Sequence, residues 1–299
     1  MGMNTPTIRR VGLVAKHNLD ASAGVLAELA GWLEARGVEP VFETHTAALV
    51  GLPPGRPTKS PDDLPNSCDL VVILGGDGTL IGMAGRIAKA GADVAILGVN
   101  FGSLGFLTEI TLPELYEALE SKLAGTAEID SRMMLLAQTA RNDQLFSEYP
   151  VLNDIVITKG ALSRIVEISV TVGDEAVTRV RADGLIIASP TGSTAYNLAA
   201  GGPIVHPAVD AMLLTPIAPH PLSNRPVVIP ASSEVHVRPI MDSNSEVFVT
   251  FDGQSGFPLQ STDIVSVRRA PKPLQIIKAA NRTYFEVLRS KLRWGGKTP

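Results

Sequence analysis

Along its first 125 residues the chain alternates short apolar runs with stretches whose apolar positions recur every three or four residues. The runs at 69–74 and 93–99 have the length and composition of strands buried on both faces. Residues 8–15 predict a further strand, and 41–43 a short one. Between them, 20–36 set Val25, Leu26, Leu29, Ala30 and Leu33 at helical spacing, and Gly37 ends that helix. Residues 78–90 and 113–123 predict two more helices, and 51–66, rich in Pro, Gly, Ser and Asp, an exposed loop. Strands alternating with helices predict an α/β N-terminal domain with a Rossmann-like, doubly wound parallel sheet over residues 1–130.

The period then changes. Strand patterns fall at 135–139, 166–172, 178–187, 227–229, 234–240, 246–252 and 263–268. Several alternate apolar with polar residues, as at Val235 and Val237 or Val247, Val249 and Phe251. Gly173-Asp174 and Asp242-Ser243-Asn244 supply turns. This predicts a C-terminal all-β, antiparallel domain over 131–276. A strand or helix within 276–292 closes the chain, with 277–299 packing back onto the first domain.

Composition narrows the function classes. At about 150 residues per domain, 299 residues agree with two domains. With 45% apolar and 19% charged residues the chain is globular and not disordered. A net charge of −4 argues against nucleic acid as a partner. No apolar run reaches the roughly 18 residues of a membrane helix, and MGMNTPTIRR lacks the apolar centre of a signal peptide. Cys68 is the sole cysteine, which excludes an intrachain disulfide and a cysteine-held metal. His17, His45, His206, His220 and His236 show no metal-ligand spacing. The expectation is a cytoplasmic protein that binds neither nucleic acid nor membrane. The sequon at Asn281 is then a chance match.

Three segments concentrate candidate chemistry. Gly75-Gly76-Asp77-Gly78-Thr79 follows the buried strand ending at Leu74. Glycines at a strand-to-helix junction let backbone approach a phosphate, and the helix offers free N–H groups. The segment is neither a Walker A loop nor a G-x-G-x-x-G fingerprint. Asp77 is either a helix cap or a reactive carboxylate. Asn100-Phe101-Gly102-Ser103-Leu104-Gly105-Phe106-Leu107 follows the next strand, at the same carboxyl edge where open α/β sheets bind ligands. Phe101 is a candidate ring beside a ligand, and Phe106 a candidate core residue. Arg181-Ala182-Asp183-Gly184 leads to Ser189-Pro190-Thr191-Gly192-Ser193-Thr194-Ala195-Tyr196-Asn197 and Gly201-Gly202-Pro203, dense in hydroxyls and small residues. Tyr196 offers a face on which a flat ring can stack. Asn153-Asp154 precedes the apolar run Ile155-Val156-Ile157, as a ribose-holding pair or as an ordinary turn.

Taken together, GGDGT at 75–79, Asn153-Asp154 and DGLIIASPTGSTAYNLAAGGP at 183–203 resemble the NAD kinases of bacterial type. The first motif is shared with diacylglycerol and sphingosine kinases and, in similar form, with phosphofructokinases. The long third block is specific to NAD kinases, and the resemblance covers nearly the whole chain. It implies transfer of the γ-phosphoryl group of ATP to the 2′-hydroxyl of the adenosine ribose of NAD, giving NADP, with Mg²⁺ or another divalent cation accompanying ATP. It implies a C-terminal domain that is β-sandwich-like. By resemblance, Asp77 matches the catalytic general base and Gly78 lies beside the ligand. Phe101 matches a ring near the adenine, and Asn153 and Asp154 the pair that holds NAD. Asp154 stands where many members carry Glu. Arg164, Arg181 and Asp183 match ligand-binding positions, as do Thr194, Ala195, Tyr196, Asn197, Leu198, Ala199, Ala218 and Gln254. Asp252-Gly253-Gln254 matches the family's late D-G-Q segment. The resemblance further implies a homodimer or homotetramer, with Asp183 reaching the nicotinamide end of a neighbouring subunit's ligand. Two alternatives stand beside it: a lipid kinase sharing GGDGT, and a non-catalytic NAD(P)-sensing protein.

Overall fold

The structure, a computed structural model, describes residues 8–17, 19, 21–52, 55–102, 104–160, 165–221, 223–241, 246–280 and 282–294. The chain divides into two compact units, one made of Met1–Ser131 with Leu274–Pro299 and the other of Arg132–Pro273. No helix among the described residues is long and apolar enough to cross a membrane.

The first unit opens with β1 (Arg10–Ala15), α1 (Ser22–Glu34), β2 (Glu39–Glu43), α2 (Thr44–Val50) and β3 (Thr58–Lys59). It continues through β4 (Leu70–Gly75), α3 (Asp77–Ala90), β5 (Ala95–Asn100), β6 (Ile110–Thr111), α4 (Leu115–Leu123) and β7 (Ile129–Arg132). All six residues of β4 and of β5 are buried, the mark of central parallel strands covered on both faces. Leu26, Leu29 and Leu33 of α1 are fully buried at helical spacing. On α3, Leu80, Ile81, Ala84 and Ile87 do the same work, and Gly91 ends that helix at φ 64. Ala15 pairs with Leu74 and Gly75 with Asn100, so the loops after β1, β4 and β5 leave the sheet at one carboxyl edge.

The second unit holds β8 (Leu135–Arg141), β9 (Gln144–Val151), β10 (Asp154–Lys159), β11 (Val166–Val172), β12 (Glu175–Ala182) and β13 (Gly184–Ala188). A short α5 (Tyr196–Ala199) follows, then β14 (Ala211–Ile217), β15 (Val227–Pro230), β16 (Val235–Ile240), β17 (Val247–Phe251), β18 (Ser255–Leu259) and β19 (Asp263–Arg269). They form two six-stranded sheets, β15-β14-β13-β10-β17-β18 and β12-β11-β16-β19-β8-β9. One core, including Leu135, Ile157, Ile168, Leu185, Val237, Val249 and Val265, draws on both sheets, so the unit is a β-sandwich. Alternating burial along β11, β17 and β19 follows from one face being turned to that core.

The strand expected over 178–187 is two strands. β12 ends at Ala182 and β13 begins at Gly184, in different sheets, with Asp183 at the crossing. Gly184 permits the crossing, because a Cβ there would overlap the Ile157 carbonyl oxygen. The turn expected at Asp242-Ser243-Asn244 and the sequon residue Asn281 lie outside the described residues. The chain finally returns to the first unit with β20 (Leu274–Ile277) and α6 (Tyr284–Leu292), so 276–292 holds both a strand end and a helix. The first unit's sheet then has eight strands in the order β3-β2-β1-β4-β5-β20-β7, with β6 beside β5. Its pairings along β3 to β5, and those of β5 with β6 and β20, are parallel.

Candidate functional site

In the first unit Asp77 is the opening residue of α3, and its carboxylate does not cap its own helix. It reaches instead to the loop after β5. Oδ2 accepts the backbone N–H of Phe106 at 2.8 Å. Oδ1 accepts those of Leu107 at 3.1 Å and Thr108 at 3.0 Å, and the Thr108 hydroxyl at 3.0 Å. The loop comes this close only because residue 105 is glycine, since a Cβ there would overlap the carboxylate. Thr108 is fully buried and Asn100 nearly so. Above the loop, a Cβ placed on Gly76 or Gly78 would meet nothing within 4 Å. A side chain at either position would thus find room beside the first turn of α3. Phe101 is half-buried and packs against the core of this unit. Phe106, expected in the core, is half-buried, with the Lys291 ammonium 5.7 Å from its ring centroid.

In the second unit Asn153 and Asp154 stand at the head of β10, held from two sides. Asp252, at φ 51, turns its carboxylate onto three backbone N–H groups: Leu152 at 2.8 Å, Asn153 at 2.7 Å and Asp154 at 3.1 Å. Its own N–H donates to the Asp154 carbonyl at 2.9 Å. On the other side the Ser189 hydroxyl donates to the Leu152 carbonyl, and the Ser189 N–H to the Asn153 carbonyl at 2.9 Å. A Cβ on Gly192 would overlap that same Asn153 carbonyl. Asp154 is 6% exposed. Burial, with the Asp252 charge added, pushes its carboxyl up to about 7. Burial also raises Asp252, against the lowering effect of its three N–H partners. The Asn153 side-chain oxygen is buried with no hydrogen-bond partner, an acceptor of the kind that a ligand donor satisfies.

The loop after β13 is built around Asn197, which is fully buried. Its amide donates to the carbonyls of Ser193 and Pro203, both at 3.1 Å, and accepts the Thr215 hydroxyl at 2.6 Å. A side chain on Gly202 would collide with it. The Asn197 side chain is thus spent on holding the loop. Tyr196 is 46% exposed beside it. Thr194, Ala195 and Leu198 are half-buried and Ala199 is exposed. Gln254 is exposed in the turn that follows Asp252.

Not all the expected residues gather at this end. Asp154 pairs with Ala188 and Gly184 with Ile217, so Asp183 and Ala218 flank the opposite end of β13. Five residues at about 3.3 Å each separate the two ends by roughly 16 Å. There Asp183 pairs with Lys159 at 3.1 Å. The Arg181 carbonyl accepts the His220 N–H at 2.8 Å, and Ala218 holds a left-handed φ of 43. Arg164 lies outside the described residues. Thr108, Asn100, Asp252 and Ser189, which hold the two candidate centres in shape, carry no role in the motif analysis. Their sequence signal is position: Asn100 opens the segment 100–107 and Thr108 follows it, Ser189 opens the block 189–197, and Asp252 opens D-G-Q.

Known proteins resemble this chain over most of its length. Residues 11–127 match the model of the ATP-NAD kinase N-terminal domain, and 152–279 that of the ATP-NAD kinase C-terminal domain. The chain is 47% identical over 288 residues to the NAD kinase of Geobacter sulfurreducens, covering 96% of this chain and 99% of that one. It is 40% identical over 290 residues to the NAD kinase of Solibacter usitatus, covering 97% and 99%. Among solved structures it is similar to yeast NADH kinase complexed with NADH, at TM-score 0.85 and 26% identity, covering 98% of this chain and 90% of that one. It shares the fold of an Archaeoglobus fulgidus NAD kinase in complex with ATP, at TM-score 0.74 and 24% identity, covering 96% and 100%.

Proposed function

The chain belongs to the ATP-NAD kinase family, and on that premise we propose how its residues divide the work. It is an NAD kinase, which sets aside the lipid-kinase and sensor alternatives. Asp77 is the general base. As the 2′-hydroxyl of the adenosine ribose attacks the γ-phosphorus of ATP, its proton passes to the Asp77 carboxylate. The bond from the γ-phosphorus to the bridging oxygen breaks and ADP leaves with those electrons. The products are NADP and ADP, and Asp77 returns its proton to water. A positioned base contributes ~10²–10⁴-fold, and positioning with charge neutralisation supplies most of the rest.

The observation that carries this proposal is the hold on Asp77. Four donors turn its carboxylate away from its own helix and fix it at the carboxyl edge of the sheet, in the glycine-rich segment 75–79. NAD is held chiefly through the segment 153–154. Asp154 accepts ribose hydroxyls, and the buried Asn153 oxygen takes a donor from the same ligand. Phe101 lies by the adenine. Thr194, Ala195, Tyr196, Leu198, Ala199 and Gln254 line the remainder, with Asn197 as the scaffold of that loop and Arg164 a further contact. A divalent cation arrives on the triphosphate and, when bound, neutralises charge on the group in transfer. Among the described residues no three His, Cys, Asp or Glu side chains gather as a cage, which fits a cation carried in on the phosphates of ATP. The protein is a homodimer or homotetramer, in which Arg181, Asp183 and Ala218 serve a neighbour's ligand. The support is their place at the far end of β13 from Asn153.

The test is an end-point assay with MgATP and NAD, in which NADP is read by a dehydrogenase that accepts only NADP. Wild type forms NADP. Asp77→Asn loses ~100-fold or more of the turnover while still binding NAD, and chelation of the cation abolishes turnover. Near-wild-type turnover in Asp77→Asn removes the base role. NADH offered in parallel reports how far the acceptor range extends.

A further inference from the structure

We propose that Asn100 and Thr108 are positioning residues that fix which oxygen of Asp77 receives the substrate proton, a proposal that rests on Asp77 being the base. A backbone N–H can only donate. The Gly102 N–H faces the Asn100 side chain at 2.6 Å, so the atom it meets is the amide oxygen. That fixes the amide nitrogen towards Thr108, whose hydroxyl oxygen it meets at 3.2 Å. The nitrogen carries only hydrogens to give, so the hydroxyl accepts there. Its single proton is then committed to Asp77 Oδ1, at 3.0 Å. The series Gly102, Asn100, Thr108, Asp77 thus runs in one direction only. Its two central side chains are sealed from water at 8% and 0% exposure.

The consequence falls on the two carboxylate oxygens unequally. Oδ1 receives three donors, from the Leu107 and Thr108 backbones and the Thr108 hydroxyl. Oδ2 receives one, from Phe106. A carboxylate oxygen has about two lone pairs to offer. Oδ1 is filled and Oδ2 keeps capacity, so Oδ2 is the atom that takes the ribose proton. The Thr108 methyl lies near Gly98, where a Cβ would approach it to 3.2 Å, so the side chain's rotation is set by packing as well as by Asn100. Removing the hydroxyl takes away one of the three donors on Oδ1 and narrows the difference between the two oxygens, while the three backbone N–H groups still hold the carboxylate in place.

The experiment is steady-state kinetics of the full chain, with MgATP and NAD each varied, alongside thermal melting. Thr108→Val keeps the shape and deletes the donor. Its kcat falls about tenfold or more, while KM for NAD and the melting midpoint stay at wild-type values. Thr108→Ser returns the hydroxyl and restores kcat to within about threefold. Asn100→Asp, of equal size, presents an acceptor to Thr108, draws the hydroxyl proton away from Asp77 and lowers kcat as the valine does. Combined with Thr108→Val it adds nothing further. It also carries the test if valine unfolds the loop. Wild-type kcat in Thr108→Val or in Asn100→Asp overturns the proposal, as does a serine variant as slow as the valine or a loss shared by KM and melting midpoint. Asp77→Asn run beside them separates the two levels. If it keeps turnover, the base role itself is wrong; if it is dead while Thr108→Val is intact, only the positioning role is.

Discussion

At the scale of single residues, burial sets the behaviour of Asp154. Its carboxyl titrates at about 7 against an ordinary 3.8, raised first by burial and then by the Asp252 charge. Between those two pH values the folded chain keeps a proton that the unfolded chain releases. Stability therefore falls as pH rises through that window, and the loss is complete above about 7. Asp252, raised in the same direction, adds to the slope. The thermal midpoint of the ligand-free protein should decline from pH 5 to pH 8, and Asp154→Asn should flatten that decline. A midpoint independent of pH in wild type would mean that Asp154 is hydrated. Asp77 stood out in the sequence because it lies in a dense glycine motif, whereas Asn153 gained its meaning from the family resemblance. Thr108 was not, since its partner is 31 residues away and no spacing rule joins a hydroxyl to a carboxylate across two loops. Asn197 was legible as a member of its block, but its work is internal, which only the burial of its amide reveals.

At the scale of elements, the clamp on residues 152–154 is the feature that most directly bears on NAD. Gly192 faces the Asn153 carbonyl with no room for a methyl group. Overpacking of this kind costs ~1–3 kcal/mol, so Gly192→Ala should raise KM for NAD about tenfold, with KM for ATP unchanged. Initial rates against both substrates check this, and an unchanged KM for NAD would show that the segment yields. Strands with clean alternation, such as β11, β16 and β19, were legible because one face is core and the other is not. β9 was missed, since its first residues are exposed on both faces and Pro150 interrupts it. β14 was missed for the opposite reason. Six of its seven residues are buried, so no period exists, and Pro216 argues locally against a strand. The break at Asp183 coincides with a change of pattern, from β12, where Arg179 and Arg181 alternate with buried residues, to the wholly apolar β13, and the single strand expected over 178–187 ran across it.

At the scale of the whole molecule, the proposed oligomer makes a prediction that no single subunit can satisfy. If Asp183 serves a neighbour's ligand, Asp77→Asn and Asp183→Ala subunits, each inactive alone, should recover NADP formation when co-expressed and purified as mixed oligomers. Failure of every mixed preparation to exceed the separate variants would confine Asp183 to its own subunit. The two units also differ in continuity: the sandwich is one uninterrupted stretch, whereas the sheet bearing Asp77 takes β20 between β5 and β7. During synthesis the half made second can therefore close first. The half made first waits with β5 paired on its β20 side only at its end, by β6, while residues 132–273 are added, roughly 7–28 s at ~5–20 residues per second. All six residues of β5 are buried in the finished protein, so a ribosome that stalls within the sandwich leaves most of an apolar strand edge open to pairing with another chain.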